Sequence, residues 1–270
     1  MNPNKALWEK GDFTRIAASM RSSGEDFVDS LNIEPGHHIL DLGCGDGTTA
    51  LPAAQRGATV LGVDIAANLV AAGNRRAEAA GLDNLRFQEG DASDLQEIAD
   101  ERFDLVVSMF GAMFAPDPAN VAREMVRVAR PGGRIVMGNW IPGDPTLIAQ
   151  VLKTSAAYAP APPPGFISPM AWGLEEVVNE RFIAAGLSAS NITCRRATYV
   201  FRNDGPPRDL VQTFKTYYGP TMNAFEAAAR ENKADQLEAE LIDLFEQHNR
   251  AGPDATEIPA TFLRVEAFKP

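Results

Sequence analysis

One loop constrains this chain more than any other stretch: residues 39–49, reading ILDLGCGDGTT. An apolar run ends in Asp41, and glycines at 43, 45 and 47 follow before a helix-forming segment. Glycine belongs where the backbone takes positive φ, or where a ligand must come close to the main chain. Strand, tight turn and helix in that order make the opening unit of an open parallel α/β sheet. A dinucleotide-binding loop has G-x-G-x-x-G, whose third glycine falls where this chain has Thr48. Asp41 and Asp46 also bring negative charge to where a pyrophosphate would sit. The loop suits instead a ligand that carries an amine and a positive centre.

The strand signal recurs. Apolar runs at 38–42, 58–64, 85–87, 103–109 and 134–140 lack strict alternation, as strands buried on both faces of a parallel sheet do. Helical stretches at 68–80 and 121–130 separate them, the second with Val121, Met125 and Val128 on one side. Gly81 and the Pro131-Gly132-Gly133 turn act as stops. Five βα steps place a ligand at the C-terminal edge of the strands. Asp64 ends the second run, 21 residues after Gly43, where a carboxylate accepts hydrogen bonds from the hydroxyls of a ribose. Asp91, in EGDAS, is placed to read the edge of an adenine. Each acid alone reads equally as a helix cap; three at successive strand ends beside a glycine loop make a site.

The second half is organised differently. A helix at 146–158 leads to the stiff linker PAPPPG, residues 160–165. Leu174, Val177, Val178 and Phe182 mark another helix, stopped at Gly186. Strands at 191–202 and 260–268 flank a helical insertion near 206–253. In it, Pro220 opens a helix with Met222, Phe225 and Ala229 on one side, and Leu237, Leu241, Leu244, Phe245 and His248 form a second stripe. The 270 residues thus read as one elaborated domain: cap helices at 1–35, a binding core at 36–142, a lid helix and linker at 143–172, and sheet completion at 173–270. No apolar run reaches the roughly 18 residues of a membrane span. The first residues lack a secretory signal, and two cysteines make neither a disulfide framework nor a zinc site. The expected location is the cytoplasm. A net charge of -11 weighs against a nucleic-acid partner.

These motifs together resemble class I S-adenosylmethionine-dependent methyltransferases, in the small-molecule branch similar to ubiquinone/menaquinone biosynthesis methyltransferases. ILDLGCGDG looks like their first motif, VLGVDIA their second-strand acid motif and FQEGDASDL their third. FDLVVSMFGAMF and ARPGGRIVM are similar to the fourth strand and to the turn before the fifth. The resemblance implies a Rossmann-like sheet of seven strands in the order 3-2-1-4-5-7-6, the last antiparallel, with helical lid insertions. It implies S-adenosylmethionine as cofactor and S-adenosylhomocysteine as product. Gly43, Cys44 and Gly45 would then approach the methionine part, and Asp41 its amine. Asp64 would hold the ribose, Ile65 and Ala92 would flank the adenine, Asp91 would meet its exocyclic amine, and Ser108 would lie near the sulfonium. Trp8 and Phe13 would cover the bound cofactor, as the comparable segment does in related enzymes.

The acceptor side is less determined. Ser108-Met109-Phe110-Gly111 stands where methyltransferases of exocyclic amines have Asn/Asp-Pro-Pro-Tyr/Phe, so DNA bases and protein glutamine are excluded as acceptors. Met113, Phe114 and Trp140 follow strand ends on the ligand side and are expected to line a substrate pocket, with Tyr218 and Met222 as further candidates. No general base stands out. Tyr217 and Tyr218 read evenly as packing or as hydrogen-bond partners over the site, His248 reads as a core or rim residue before a catalytic one, and His37 and His38 sit at the wrong edge of the sheet. No metal site is expected. The expected partner is a small, partly apolar methyl acceptor; quinone-ring C-methylation and non-catalytic cofactor binding remain alternatives, and monomer or homodimer stays open.

Overall fold

In the computed structural model, which describes residues 4–159 and 165–270, the apolar runs assemble into one seven-stranded sheet. β1 (His38–Leu42), β2 (Thr59–Asp64), β3 (Leu85–Glu89), β4 (Phe103–Met109) and β5 (Ala129–Trp140) pair in parallel. β7 (Thr256–Phe268) lies antiparallel between β5 and β6 (Ile192–Asn203). The order is β3-β2-β1-β4-β5-β7-β6, as the resemblance implies. Ile39, Leu40, Val106, Val107, Ile135 and Val136 are all fully buried, which explains why these strands read as unbroken apolar runs.

Three short helices precede the sheet: α1 (Lys5–Glu9), α2 (Phe13–Ala18) and α3 (Arg21–Asp29). The α2–α3 corner is tied to the edge strand β6. The Ser23 hydroxyl accepts from the Val200 amide at 3.0 Å and donates to the Val200 carbonyl, and the Arg202 amide donates to Ser19 O at 2.8 Å. Crossover helices α4 (Ala50–Gln55), α5 (Ala67–Ala79) and α6 (Pro118–Val128) connect the parallel strands. α6 starts where the Asp117 carboxylate accepts from the Asn120 amide and Pro118 supplies a preset φ. It ends at Val128, two residues before the sequence expectation, because Ala129 already pairs with Phe103. Gly132 then turns at φ 75° and donates its amide to Lys269 O, so β5 includes the turn expected to precede it.

Beyond β5 come α7 (Leu147–Tyr158), α8 (Glu175–Ala184), and, between β6 and β7, α9 (Pro207–Tyr217), α10 (Gly219–Arg230) and α11 (Ala234–His248). The sequence gives α10 and α11 as separate stripes but leaves α9 within an undivided insertion; Leu210, Val211 and Phe214 bury its inner face. α7, α9, α10 and α11 pack on one another as a helical layer beside the site. The linker expected at 160–165 lies, except for Gly165, outside the described residues. β7 begins at Thr256, earlier than expected, with Pro259 inside it. The β5 pairing has already ended at Trp140 opposite Phe262, so Pro259 sits where β7 has a strand on one side only and its missing N–H is tolerated.

Candidate functional site

A cavity opens at the C-terminal edge of the sheet, between β1 and β4, where the strand order reverses. It holds about 1170 Å³ of unfilled space, the open solvent at its mouth included. One end is built by the glycine loop. Gly43, Gly45 and Gly47 take φ of 64°, 56° and 89°, the left-handed region that glycine enters without strain. Two of them meet different constraints. A Cβ on Gly43 would fall 2.5 Å from Gly111 Cα, so the β1 and β4 loops touch backbone to backbone. A Cβ on Gly45 would meet nothing nearer than Phe13 at 3.8 Å, so the free space there faces the cavity.

Three acids gather at this end. Asp41 is buried, and its Oδ2 has no hydrogen-bond partner. Burial and the nearby Asp64 charge push its pKa up to about 8. Asp64 accepts from the Gly45 amide at 2.8 Å and the Ala66 amide at 2.9 Å, which orients its carboxylate, although burial still raises its pKa. Asp46 is held by Arg21, which also donates to Thr48 Oγ1, and its carbonyl accepts from Arg76 at 2.6 Å. Burial, with Asp64 and Asp41 adding to it, keeps the Cys44 thiol protonated, so it acts as a small wall residue. Asp91 lies two residues past the end of β3 and closes a turn, accepting from the Ser93 amide and hydroxyl, while lining the cavity with Ala92.

The N-terminal segment crosses the mouth. Asn4 Nδ2 donates to Phe114 O at 2.6 Å, Lys5 Nζ to Ile65 O at 3.0 Å, and the Ala67 amide donates to Glu9 Oε1 at 3.1 Å. Trp8 thereby sits 4.9 Å from the Phe114 ring, 6.0 Å from Phe13 and 6.1 Å from Tyr218. The rest of the lining is largely aromatic: Phe110, Trp140, Phe201, Phe214 and Tyr218, with Tyr199 reaching back toward the glycine loop, where a Cβ on Gly24 would fall 3.1 Å from its hydroxyl and 2.5 Å from Thr48.

Of the residues singled out in the sequence, Trp8, Phe13, Asp41, Gly43, Cys44, Gly45, Asp64, Ile65, Asp91, Ala92, Phe114, Trp140 and Tyr218 line this one cavity. Five do not reach it. The Ser108 hydroxyl donates to Leu42 O at 2.7 Å and accepts from the Ala112 amide at 2.9 Å, so it staples β4 to β1 instead of facing a ligand. Met113 is fully buried behind the wall, and Met222 packs toward Gly11. The Tyr217 ring turns away under the Arg15 guanidinium, and His248 ends α11 outside the cavity. His37 and His38 stand at the N-terminal end of β1.

Tyr199, Phe201 and Phe110 went unrecognised in the sequence. The β6–β7 pairing runs on to Asn203 opposite Thr256 after β5 has stopped, and this overhang carries Tyr199 and Phe201 over the cavity. Their i, i+2 spacing was a readable signal for one strand face, though not for which face.

Residues 40–137 match the family model described as a methyltransferase domain. An uncharacterized protein of Mycobacterium tuberculosis is 33% identical over 247 residues, 91% of this chain and 88% of that protein. The nocamycin O-methyltransferase of Saccharothrix syringae is 35% identical over 141 residues, 48% of this chain and 50% of that one. The chain belongs to the class I S-adenosylmethionine-dependent methyltransferases. Among solved structures, this methyltransferase is similar to the Haemonchus contortus phosphoethanolamine N-methyltransferase 2 in complex with phosphomonomethylethanolamine and S-adenosylhomocysteine. The TM-score is 0.64 at 14% identity, covering 100% of this chain and 61% of that one, a likeness of fold.

The residues present fit the methyltransferase cofactor. The orphaned Asp41 oxygen answers an ammonium, the open face of Gly45 admits a ligand against the main chain, and the oriented Asp64 carboxylate keeps lone pairs for a diol. Among the described residues no helix is long and apolar enough to cross a membrane.

Proposed function

We propose that this methyltransferase acts on a small, partly apolar metabolite seated in the aromatic part of the cavity, with the methyl group passing in line to it. The observation that carries the reading is what one cavity brings together: the carboxylates and glycines of the β1, β2 and β3 loops and a broad surface of rings, Trp8 and Phe13 among them. S-adenosylmethionine, when bound, supplies a methyl group activated by a positively charged sulfur. Asp41 holds the ammonium, Asp64 the ribose hydroxyls, and Ile65 and Ala92 the faces of the adenine, with Asp91 at its edge. Trp8, Phe13 and the helical layer of α7, α9, α10 and α11 keep water out, which strengthens every charge interaction inside. Orientation of two reactants in such a space contributes on the order of 7–11 kcal/mol.

Beyond the four aspartates, which this reading gives to the cofactor and the glycine loop, the lining supplies no base. It contains no histidine or lysine, and burial raises the pKa of both Tyr199 and Tyr218, so their hydroxyls stay protonated. The acceptor therefore arrives as a competent nucleophile or loses its proton after transfer. Incubation with methyl-labelled S-adenosylmethionine and a metabolite extract is expected to move label into a small, solvent-extractable product. Label recovered only in protein or nucleic acid, or not transferred at all, refutes this reading.

A further inference from the structure

The acceptor end of the cavity has a chemistry narrower than "partly apolar". Among its described lining residues there is no lysine, arginine or histidine. The Arg21 guanidinium, whose charge reaches Tyr199, does not line the cavity and is committed to Asp46 and Thr48. An acceptor carrying a phosphate or carboxylate would be desolvated here with no positive side chain to answer it, a strongly unfavourable transfer. The phosphate-bearing acceptor bound by the Haemonchus enzyme thus has no counterpart that this lining accommodates.

The walls specify shape. Phe110 lies flat on Trp140, their ring centroids 3.7 Å apart, and Tyr199 and Phe262 stand edge-on to Phe110 at 5.2 and 5.4 Å. Phe201 and Phe214 continue the surface. Rigid slabs of this kind favour flat, conjugated ligands that stack on a face or meet an edge.

Two tyrosine hydroxyls remain, and that of Tyr199 lies toward the glycine loop, where a Cβ on Gly24 would fall 3.1 Å from it. Tyr218 is 6% exposed, lines the cavity, and its hydroxyl has no hydrogen-bond partner in the protein. By contrast Tyr158, at the surface, donates to Glu240 at 2.9 Å. A hydroxyl that lines a cavity without a protein partner is free to pair with a bound ligand, as polar groups in folded proteins do as a rule. The Tyr218 ring lies 6.1 Å from Trp8 and 6.2 Å from Phe13 on the cofactor side, and 5.3 Å from Phe214 on the acceptor side. It adjoins both groups of rings.

We propose that the acceptor is an uncharged, flat, oxygen-bearing molecule, and that Tyr218 positions it by donating a hydrogen bond to that oxygen. The proposal rests on the small-molecule reading above and narrows it. A cationic acceptor also suits aromatic walls, but it cannot accept the Tyr218 proton and would share the cavity with the cofactor's positive sulfur.

The test uses the full chain saturated with S-adenosylhomocysteine and four probes of one shape: naphthalene, 2-naphthol, 2-naphthoate and trimethyl(2-naphthyl)ammonium. Affinities are read by calorimetry for the native protein and for Tyr218→Phe. The native protein is expected to bind 2-naphthol roughly 3- to 10-fold more tightly than naphthalene, the increment of one net hydrogen bond, and more tightly than either ion. Tyr218→Phe is expected to erase the preference for 2-naphthol over naphthalene while leaving S-adenosylhomocysteine affinity and thermal midpoint unchanged. A merely structural tyrosine would shift the last two instead. Equal or tighter binding of either ion, or an undiminished 2-naphthol preference in Tyr218→Phe, overturns the proposal alone. Binding of none of the four overturns it together with the apolar-acceptor reading.

Discussion

The ring of Phe110 lies on that of Trp140 with centroids 3.7 Å apart and planes 6° from parallel. The stack depends on an unfavourable backbone: Phe110 has φ 64°, rare for a residue with a bulky side chain. The chain accepts that conformation because the Phe110 amide donates to Gly138 O at 2.9 Å, locking the end of β4 to β5. A left-handed residue of this kind costs about 1–3 kcal/mol. Such strain at a ligand cavity is consistent with a wall held in place for function.

That strain gives a prediction with an unusual sign. At an ordinary position glycine is less stable than alanine by roughly 0.5–1 kcal/mol. At Phe110 both substitutions lose the ring, but glycine also relieves the positive φ, so Phe110→Gly is expected to be the more stable variant by about 1 kcal/mol. Denaturant titration of the pair measures it. An alanine variant as stable as the glycine one means that the backbone at 110 is not strained.

Asp41 makes the unliganded protein sensitive to pH. Its carboxyl is raised from the ordinary range of about 3.9 to about 8, burial being the main cause and Asp64 the next. Between those values the folded state binds more protons than the unfolded one, so stability falls as pH rises. It is full below about 4 and is lost as pH passes through about 8. Asp41→Asn is expected to flatten this dependence and to raise the thermal midpoint at pH 8. On the proposed reading the same variant loses the anionic partner of the cofactor's ammonium, a charged hydrogen bond of about 1.5–3 kcal/mol. Calorimetry should therefore show S-adenosylhomocysteine affinity reduced by a factor on the order of 10 to 100. A native thermal midpoint that does not fall between pH 5 and 8 removes the buried, protonated Asp41 from the account.

Gly111, in the contact between the β1 and β4 loops, and Gly45, which faces the cavity, separate stability from binding. Gly111→Ala drives a Cβ to 2.3 Å from Gly43 O, an overlap with main chain that only a backbone shift relieves. It is expected to destabilise by about 1–3 kcal/mol. Gly45→Ala has open space, pays only for φ 56°, and places a methyl group toward the cavity. It is expected to lower the thermal midpoint less than Gly111→Ala, yet to weaken S-adenosylhomocysteine binding more. The reverse ranking would show that the open face of Gly45 is not a ligand surface.

Much of this was legible because it is local. Gly43, Gly45 and Gly47 report positive φ directly, and an unbroken apolar run such as 103–109 reports a strand covered on both faces. The acceptor end is not local. Phe110 looks like any residue after a strand; its stack follows from a φ that Gly138, 28 positions on, holds in place. Tyr199 and Phe201 lie near the end of the strand at the edge of the sheet, and reach the cavity only because the β6–β7 register continues past Trp140. Ser108 shows the converse. It lies at the strand end that the family pattern indicates, yet its hydroxyl is consumed within the protein by Leu42 and Ala112.

Trp8 provides the kinetic test of the mouth. α1 buries none of its own residues and is held by polar contacts from Asn4, Lys5 and Glu9 to the loops below, so it can lift without unfolding the core. Trp8 is the part of it that reaches Phe13, Phe114 and Tyr218. Trp8→Ala is expected to leave the thermal midpoint within a few degrees, because the ring is only partly buried and lies outside the sheet core. It should speed release of S-adenosylhomocysteine about tenfold or more, with little change in the association rate, since interface changes act mainly on dissociation. A chase of labelled S-adenosylhomocysteine by unlabelled ligand reads that rate. A release rate equal to that of the native protein would show that α1 does not cover the cofactor, and would move the barrier to exit onto the helical layer of α7, α9, α10 and α11.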